Sequence, residues 1–213
     1  MIVITADQVD SRSTPDIAFD ALESINQAFA ARLVLAADRT AGDEIQMLVD
    51  DGRAAVDIVL ALTRTGRWSV GLGFGLVREP LGANIRESTG DAFVAARAAV
   101  ERAKKKQTRF AVSAEPARTE ARDLEALVDL VLVLRARRSE QGWEMHDLVT
   151  RGLSQADAAS EIGITPQSAS KRARAADLKA EDAAIAPLAR LADTLDAAVA
   201  PTYDANPVRE GLS

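Results

Sequence analysis

The sequence predicts an α+β fold in which a strand-and-helix domain is followed by an all-helical domain. Strand and helix patterns alternate from Met1 to about residue 113, whereas later apolar residues recur only at helical spacing. The polar stretch at residues 115–118 contains Pro116 and is typical of a linker. We therefore expect domains at residues 1–114 and 119–200, followed by a polar, proline-broken tail at residues 201–213.

The first domain is predicted to alternate strands with helices. Short apolar or alternating runs predict the strands, apolar residues at helical spacing predict the helices, and a Thr-Ala-Gly-Asp turn predicts a hairpin. In chain order we expect strand 1–6, helix 15–31, hairpin strands 33–39 and 45–49, helix 52–65, strand 68–75, helix 89–106 and strand 110–113. The order βαββαβ, then αβ, is that of a ferredoxin-like sheet with its helices on one face.

The second domain is predicted to be helical throughout. We expect helices at 119–139 and 140–150, two short helices between residues 153 and 178, and a last helix at 183–199. The first of these helices carries an apolar series, which burial in its own domain explains as well as a dimer interface does: Leu124, Leu127, Val128, Val131 and Leu134.

The two short helices have the pattern of a helix-turn-helix, a unit that docks on DNA. Ser154 is placed to cap the first helix, and Thr165 with Pro166 is placed to begin the second. Gly163 stands between them, where a positive φ is needed. The series Gln-x3-Ala-x3-Gly-Ile, followed by Gln-Ser-Ala-Ser-Lys, resembles the helix-turn-helix of bacterial and phage repressors.

Polar and basic side chains of this unit are the candidates for DNA contact. Side chains early on the second helix of such a unit reach base edges in the major groove, while basic ones contact phosphates. The candidate residues are Ser154, Gln155, Thr165, Gln167, Ser168, Ser170, Lys171, Arg172 and Arg174. The alternative is an ordinary helical hairpin whose polar residues form a solvated face.

Charge and composition narrow the class of protein. The net charge of −6 argues against a protein that coats nucleic acid indiscriminately, although residues 151–179 carry five basic and three acidic side chains. No cysteine is present, which excludes disulfides and cysteine zinc sites. Neither a signal peptide nor a run long enough to span a membrane is apparent, so we expect a cytoplasmic protein.

Two acidic positions of the first domain are candidate metal ligands. Asp7 ends the first predicted strand, and Asp43 lies in the predicted hairpin turn. If their strands are neighbours, the two carboxylates converge, and Mg²⁺ is a hard cation that prefers such oxygens. Asp10 is a candidate third ligand. The alternative is that all three are ordinary turn residues.

Several motifs of the first domain resemble those of class III nucleotide cyclases and their diguanylate-cyclase relatives. The motifs occupy residues 6–11, 39–43 and 90–97. The resemblance implies that Asp7 and Asp43 hold metals on a nucleotide triphosphate and that Arg39 and Arg97 contact the nucleotide. Phe93 stands where these enzymes place an Asn four residues before the Arg, which implies binding without turnover.

Nearly the whole chain is more closely similar to the SatD-like family. That resemblance depends on four motifs in a fixed order, at residues 6–12, 40–46, 71–75 and 95–97, and many members end in a helix-turn-helix. It implies a cyclase-like domain joined to a DNA-binding domain.

Three further features have alternative interpretations. The cluster Lys104–Lys106 either interacts favourably with a helix dipole or makes an accessory phosphate contact. Trp143 is expected to pack beneath the helix-turn-helix. His146 is the only histidine, and no nucleophile pattern near it indicates catalysis.

Together these features predict a homodimeric bacterial transcriptional regulator that binds double-stranded DNA. Its first domain is expected to dimerise and to sense a purine nucleotide or Mg²⁺. The alternative is a Mg²⁺-dependent nucleotide-processing enzyme of cyclase type whose helix-turn-helix targets it to DNA.

Overall fold

A computed structural model describes residues 1–199, apart from the side chain of Ala41, and its fold is a mixed α+β arrangement. The five strands are β1 (Ile2–Gln8), β2 (Leu35–Ala41), β3 (Glu44–Val49), β4 (Trp68–Phe74) and β5 (Phe110–Ala114). Residue 200 and the tail predicted at residues 201–213 lie outside the described residues.

Eight α-helices accompany the sheet in the described part of the chain. They are α1 (Ala18–Phe29), α2 (Gly52–Thr63), α3 (Asp91–Ala103), α4 (Arg118–Ala136), α5 (Glu140–Thr150), α6 (Gln155–Glu161), α7 (Pro166–Ala175) and α8 (Leu178–Val199). Each predicted element is present, and the largest difference is that α8 begins five residues before the predicted residue 183. Among the helices described here, none is both long and apolar enough to cross a membrane.

The strands form one sheet in the order β2-β3-β1-β4-β5, with β1 at its centre. β1 runs antiparallel to both β3 and β4, and β5 runs parallel to β4. Because side chains alternate along a strand, directly opposed residues project from the same face of the sheet. Asp7 is opposed to Glu44 on one side and to Ser69 on the other, so these three residues share a face.

One face of the sheet carries the main hydrophobic core. It packs against α1, α2, α4 and α8, and fully buried strand residues such as Ile4, Met47 and Phe74 lie at its centre. Helices from before and after residue 115 therefore share this core, so the predicted linker does not separate two hydrophobic cores.

Helix α3 packs on the opposite face of the sheet. A Cβ on Gly71 or Gly73 of β4 would overlap the backbone of α3, so these two glycines let the helix lie directly on the strand. The buried side of α3 is made of Val100 and five alanines, among them Ala92, Ala96 and Ala99. The prediction that the helices occupy a single face is wrong. Val3 of β1 and Leu48 of β3 are fully buried on this second face, where they pack with Ala92 and Ala96 of α3.

A second, smaller core lies within residues 140–178. It is built from Met145 and Leu148 of α5 together with alanines of α6 and α7, and Leu178 at the start of α8 packs on it. The helices of the expected all-helical domain therefore belong to two cores. Helices α5 to α7 share the smaller core, whereas α4 and the rest of α8 pack against the sheet.

Candidate functional site

The ends of α6 and α7 are fixed by the capping residues that the sequence predicts. The Ser154 hydroxyl accepts the amide of Asp157 at 3.1 Å, and the Thr165 hydroxyl accepts the amide of Ser168 at 3.2 Å. Gly163 has a φ of +67° between the two helices, and Pro166 stands in the first turn of α7. Both capping predictions are confirmed, and the geometry follows from local sequence alone.

Small residues let α6 and α7 approach closely. Ala158 and Ala159 of α6 are buried against Ala169 and Ala173 of α7, while Ile162 and Ile164 pack at the edge of the same cluster. Since this side of α7 is buried, its other side is left to solvent, with Gln167, Ser168, Lys171 and Arg174 all exposed.

The nine candidate DNA-contacting residues are not equally available. Seven are exposed, whereas Ser170 and Arg172 are half-buried. Arg172 is bound to Glu144 of α5 at 2.8 Å, and Arg151, just before α6, is bound to Glu161 at 2.7 Å. Among the described residues, Lys171 and Arg174 form no ion pair, so they carry the uncompensated charge of this surface.

The capping hydroxyls are already engaged within the unit. Ser154 Oγ donates to the Asp157 carboxylate at 2.7 Å, and Thr165 Oγ1 donates to Ser168 Oγ at 3.0 Å. Their main contribution is therefore to hold the helix ends, and either hydroxyl would have to give up its present acceptor in order to donate to a phosphate.

At the sheet edge, the Asp7 carboxylate is bound by a cation of the protein itself. Lys104 Nζ lies 2.8 Å from Asp7 Oδ2 and 2.7 Å from Glu101 Oε1. Burial lowers the pKa of Lys104, but the hydrogen bonds to Asp7 and Glu101 outweigh it and raise that pKa above its usual value. The cluster Lys104–Lys106 thus supplies the counter-ion of Asp7.

Glu44 is the carboxylate that lies beside Asp7, and sequence reasoning missed it. It is buried, accepts from Thr40 Oγ1 at 2.6 Å and forms an ion pair with Arg97 at 2.6 Å. Burial raises the pKa of Glu44, and the charge of the neighbouring Asp7 raises it further. The hydrogen bond from Thr40 and the charge of Arg97 lower it, but they do not outweigh the rise. The available signal was the turn length: a two-residue Gly42-Asp43 turn starts β3 at Glu44, directly opposite Asp7.

Asp10 and Asp43 have mainly turn roles in the described structure. Asp10 is exposed with a φ of +55°, and its carbonyl accepts the amides of Ser13 and Thr14. The carbonyl of Asp43 accepts the amide of Gln8 at 3.4 Å. Within residues 1–199, no group of three or more His, Cys, Asp or Glu side chains is placed to hold a metal ion, so Asp10 does not complete a three-ligand set with Asp7 and Asp43. Metal binding by the pair Asp7 and Asp43 stays a prediction.

The two candidate nucleotide-binding arginines lie on opposite faces of the sheet. Arg39 is opposed to Ile45, whose side chain is in the main core, and its guanidinium binds Asp16 at 2.7 Å. Arg97 extends from α3 on the other face, where it binds Glu44. Arg39 and Arg97 therefore lie on different sides of the sheet, and contact of both arginines with a nucleotide stays a prediction.

A buried charged cluster joins the two cores, and no sequence pattern indicated it. Glu181 of α8 accepts from both Arg135 and Arg138 at the end of α4, and Arg135 also donates to the carbonyl of Leu60 at 2.9 Å. Burial by itself raises the pKa of Glu181, but the His146 ring and the charges of Arg135 and Arg138 outweigh it and hold that pKa at about 2.

Trp143 of α5 lies in the middle of this charged cluster. The guanidinium carbons of Arg64, Arg135 and Arg138 lie 4.6, 4.8 and 4.5 Å from its ring centroid, within cation–π range. Trp143 thus packs against arginines at the ends of α2 and α4, and it is not part of the apolar core beneath α6 and α7 where the sequence predicts it.

Comparisons with known proteins assign no family. No family model, no curated protein and no solved structure matches the chain.

Proposed function

We propose that this protein is a DNA-binding transcriptional regulator in which α6 and α7 form a helix-turn-helix. The observation that carries the proposal is the exposed side of α7, which presents Gln167, Ser168, Lys171 and Arg174 together from a capped, closely packed helix. Side chains early on the second helix of such a unit enter the major groove, and cations further along it contact phosphates.

The packing beneath α7 supports this reading over an ordinary helical hairpin. α7 is fixed against α6 by small residues and against α5 by the Arg172–Glu144 ion pair, so its exposed side is held in one orientation. A rigid support is what a surface needs in order to read base edges.

A ferredoxin-like, cyclase-type fold for the first part of the chain is included in this proposal, and the strand order supports it. The antiparallel strand order β2-β3-β1-β4 is the one produced when a βαββαβ unit folds with its first strand in the centre. Membership of the SatD-like family is part of the same proposal and is supported by the four ordered motifs of the sequence.

We also propose that the protein binds DNA as a homodimer on a two-fold site. Leu127, Leu130 and Val133 form an exposed apolar stripe on α4 with relative exposures of 43%, 63% and 36%. These residues recur at a spacing of three, whereas Leu124, Val128 and Val131 of the same helix are buried in the main core. A helix that is apolar on two sides is typical of one that packs on both.

Selection from a random pool of duplex DNA tests this function. The wild-type protein is expected to enrich one sequence with two related half-sites, and the double variant Lys171→Ala, Arg174→Ala is expected to enrich none. A double variant of exposed cations elsewhere, Lys105→Ala with Arg122→Ala, removes the same charge and is expected to enrich the wild-type sequence. Failure of the wild type to enrich any sequence would contradict the proposal.

A further inference from the structure

We propose that the cavity between the two cores binds a phosphate-bearing small molecule. The cavity has a volume of about 510 Å³ and is walled by the α2–β4 loop, the α3–β5 loop, the end of α4 and Trp143 of α5. That volume lies within the range of roughly 300–1,000 Å³ found for small-molecule sites.

The chemistry of the wall selects for an anion. Arg64, Arg109, Arg135 and Arg137 all line the cavity, and none of the lining residues in the described part of the chain is Asp or Glu. A guanidinium presents a planar fork of N–H donors that matches two oxygens of a phosphate, so arginines are preferred where phosphate is bound.

Buried polar atoms on the wall have no partner within the described structure. Arg135 is only 6% exposed, and its Nε makes no hydrogen bond. The buried hydroxyl of Thr108, which also lines the cavity, makes none either. Leaving buried donors unpaired costs free energy, and phosphate oxygens supply the acceptors that both groups lack.

The positive charge behind the wall is in excess. Arg135 and Arg138 share the carboxylate of Glu181, so within residues 1–199 two buried guanidinium groups have one carboxylate between them. Arg64 is compensated by Asp147, with two contacts of 2.7 Å. Among the described residues, Arg109 and Arg137 form no ion pair. An anion in the cavity offsets this excess, which an apolar ligand cannot do.

The position of the cavity makes the ligand a candidate effector. Its wall combines elements of the sheet core with Trp143, which belongs to the helix that supports α6 and α7. A molecule held there contacts both parts of the chain, so we infer that it biases the orientation of α7. This regulatory role depends on the proposed function, whereas binding itself does not.

Calorimetry of the full-length protein without DNA tests the binding. The probes are inorganic phosphate, pyrophosphate and ATP, with citrate as a carboxylate probe at equal ionic strength. At least one phosphate probe is expected to bind with a stoichiometry of one per chain and more tightly than citrate. No binding by any phosphate probe, or equal binding by citrate, overturns the proposal.

Two matched variants on one helix locate the site. Arg137→Gln removes a lining cation at the end of α4, and Arg122→Gln makes the same change near its start, outside the cavity. Arg137→Gln is expected to weaken binding about tenfold or more, the effect of losing a charge-assisted hydrogen bond. Arg122→Gln is expected to leave binding unchanged, and equal weakening by both variants contradicts a defined site.

Tryptophan fluorescence gives an independent readout. The protein has two tryptophans, and Trp68 is buried in the main core while Trp143 lines the cavity. The phosphate probe that binds is expected to change the emission of the wild type but not that of Trp143→Phe. DNA affinity is then measured with and without that probe: an altered affinity supports the effector role, and an unchanged affinity overturns it while the calorimetric result stands.

Discussion

Lys104 Nζ lies 2.8 Å from the Asp7 carboxylate, so a cation of the protein occupies the position at which the sequence predicts a metal ion. Asp7 and Glu44 are opposed on adjacent strands, and Lys104 and Arg97 each neutralise one of them. A metal ion at Asp7 therefore has to displace an ammonium group. The Asp7 carboxylate therefore has a counter-ion even without a metal, and removing Lys104 tests the metal prediction directly.

Lys104→Met removes the counter-ion of Asp7, so the repulsion between the carboxylates of Asp7 and Glu44 increases. We expect a loss of about 1 kcal/mol in the free energy of unfolding, the usual scale for a partly exposed ion pair. Mg²⁺ is then expected to raise the melting temperature of Lys104→Met more than that of the wild type, because binding to the folded state stabilises it. Lys105→Met, which removes an exposed neighbouring cation, is the control.

Thermal melts with and without Mg²⁺ and a purine nucleotide measure this response. If Mg²⁺ leaves the melting temperature of Lys104→Met unchanged, the two carboxylates are structural partners of their cations and hold no metal. Asp43→Asn is expected to abolish any Mg²⁺ response of the wild type, as the cyclase resemblance implies. Conversion of ATP or GTP to a new product in the same mixture would favour the enzymatic alternative.

The salt dependence of DNA binding is expected to depend on two cations. Lys171 and Arg174 form no ion pair within the described residues, whereas Arg172 and Arg151 are bound to carboxylates. Lys171→Ala and Arg174→Ala are each expected to reduce the log–log salt slope by about one unit, because each neutralised phosphate releases counterions. Arg151→Ala is expected to change the slope less. Fluorescence anisotropy on one duplex at several salt concentrations measures these slopes, and a slope near zero for the wild type argues against DNA docking.

Sequence readout is expected to involve Gln167. This exposed side chain stands in the first turn of α7, next to the Thr165 cap. Gln167→Ala is expected to relax the preference at one base position at a cost of about 1–3 kcal/mol. Selection from a random DNA pool measures the preference, with Gln141→Ala on α5 as the control. An unchanged site preference shows that α7 is not the reading helix.

Local features of this protein could be predicted from the sequence, and long-range ones could not. The caps at Ser154 and Thr165 depend on residues three positions away, so the sequence pattern was sufficient. The Arg135–Glu181 contact joins residues 46 positions apart, and nothing in a linear pattern connects them. The position of Glu44 opposite Asp7 depends on the register of the hairpin. A shift of that register by one residue would move every side chain of the strand to the other face of the sheet.

The dimer proposal makes a prediction for α4. Leu130 is the most exposed residue of the apolar stripe, so Leu130→Glu is expected to separate the dimer while leaving the fold unchanged. Leu191→Glu places the same charge at an exposed leucine of α8 and is expected to have no effect on association. Sedimentation at micromolar concentration measures the oligomeric state. A wild-type monomer, both alone and on DNA, would count against the two-fold site.

The loss of folding stability at acidic pH is expected to depend on Glu181. Its pKa of about 2 in the folded protein lies below the usual value of 4.5, so the folded state favours the ionised carboxylate. The resulting stabilisation is fully present above about pH 5 and is lost as the pH falls towards 2, where Glu181 becomes protonated in the folded state too. A difference of this size corresponds to about 3 kcal/mol.

Glu181→Gln is therefore expected to lower the free energy of unfolding at pH 7 by roughly 3–5 kcal/mol, because Glu181 is the one carboxylate among residues 1–199 that pairs with Arg135 and Arg138. Between pH 5 and pH 3, the free energy of unfolding of Glu181→Gln is also expected to decrease less than that of the wild type. Urea denaturation across this pH range measures both effects, with Glu23→Gln on the exposed side of α1 as the control. If Glu181→Gln and the wild type lose stability in parallel below pH 5, the acid sensitivity arises from other carboxylates and the buried cluster does not set it.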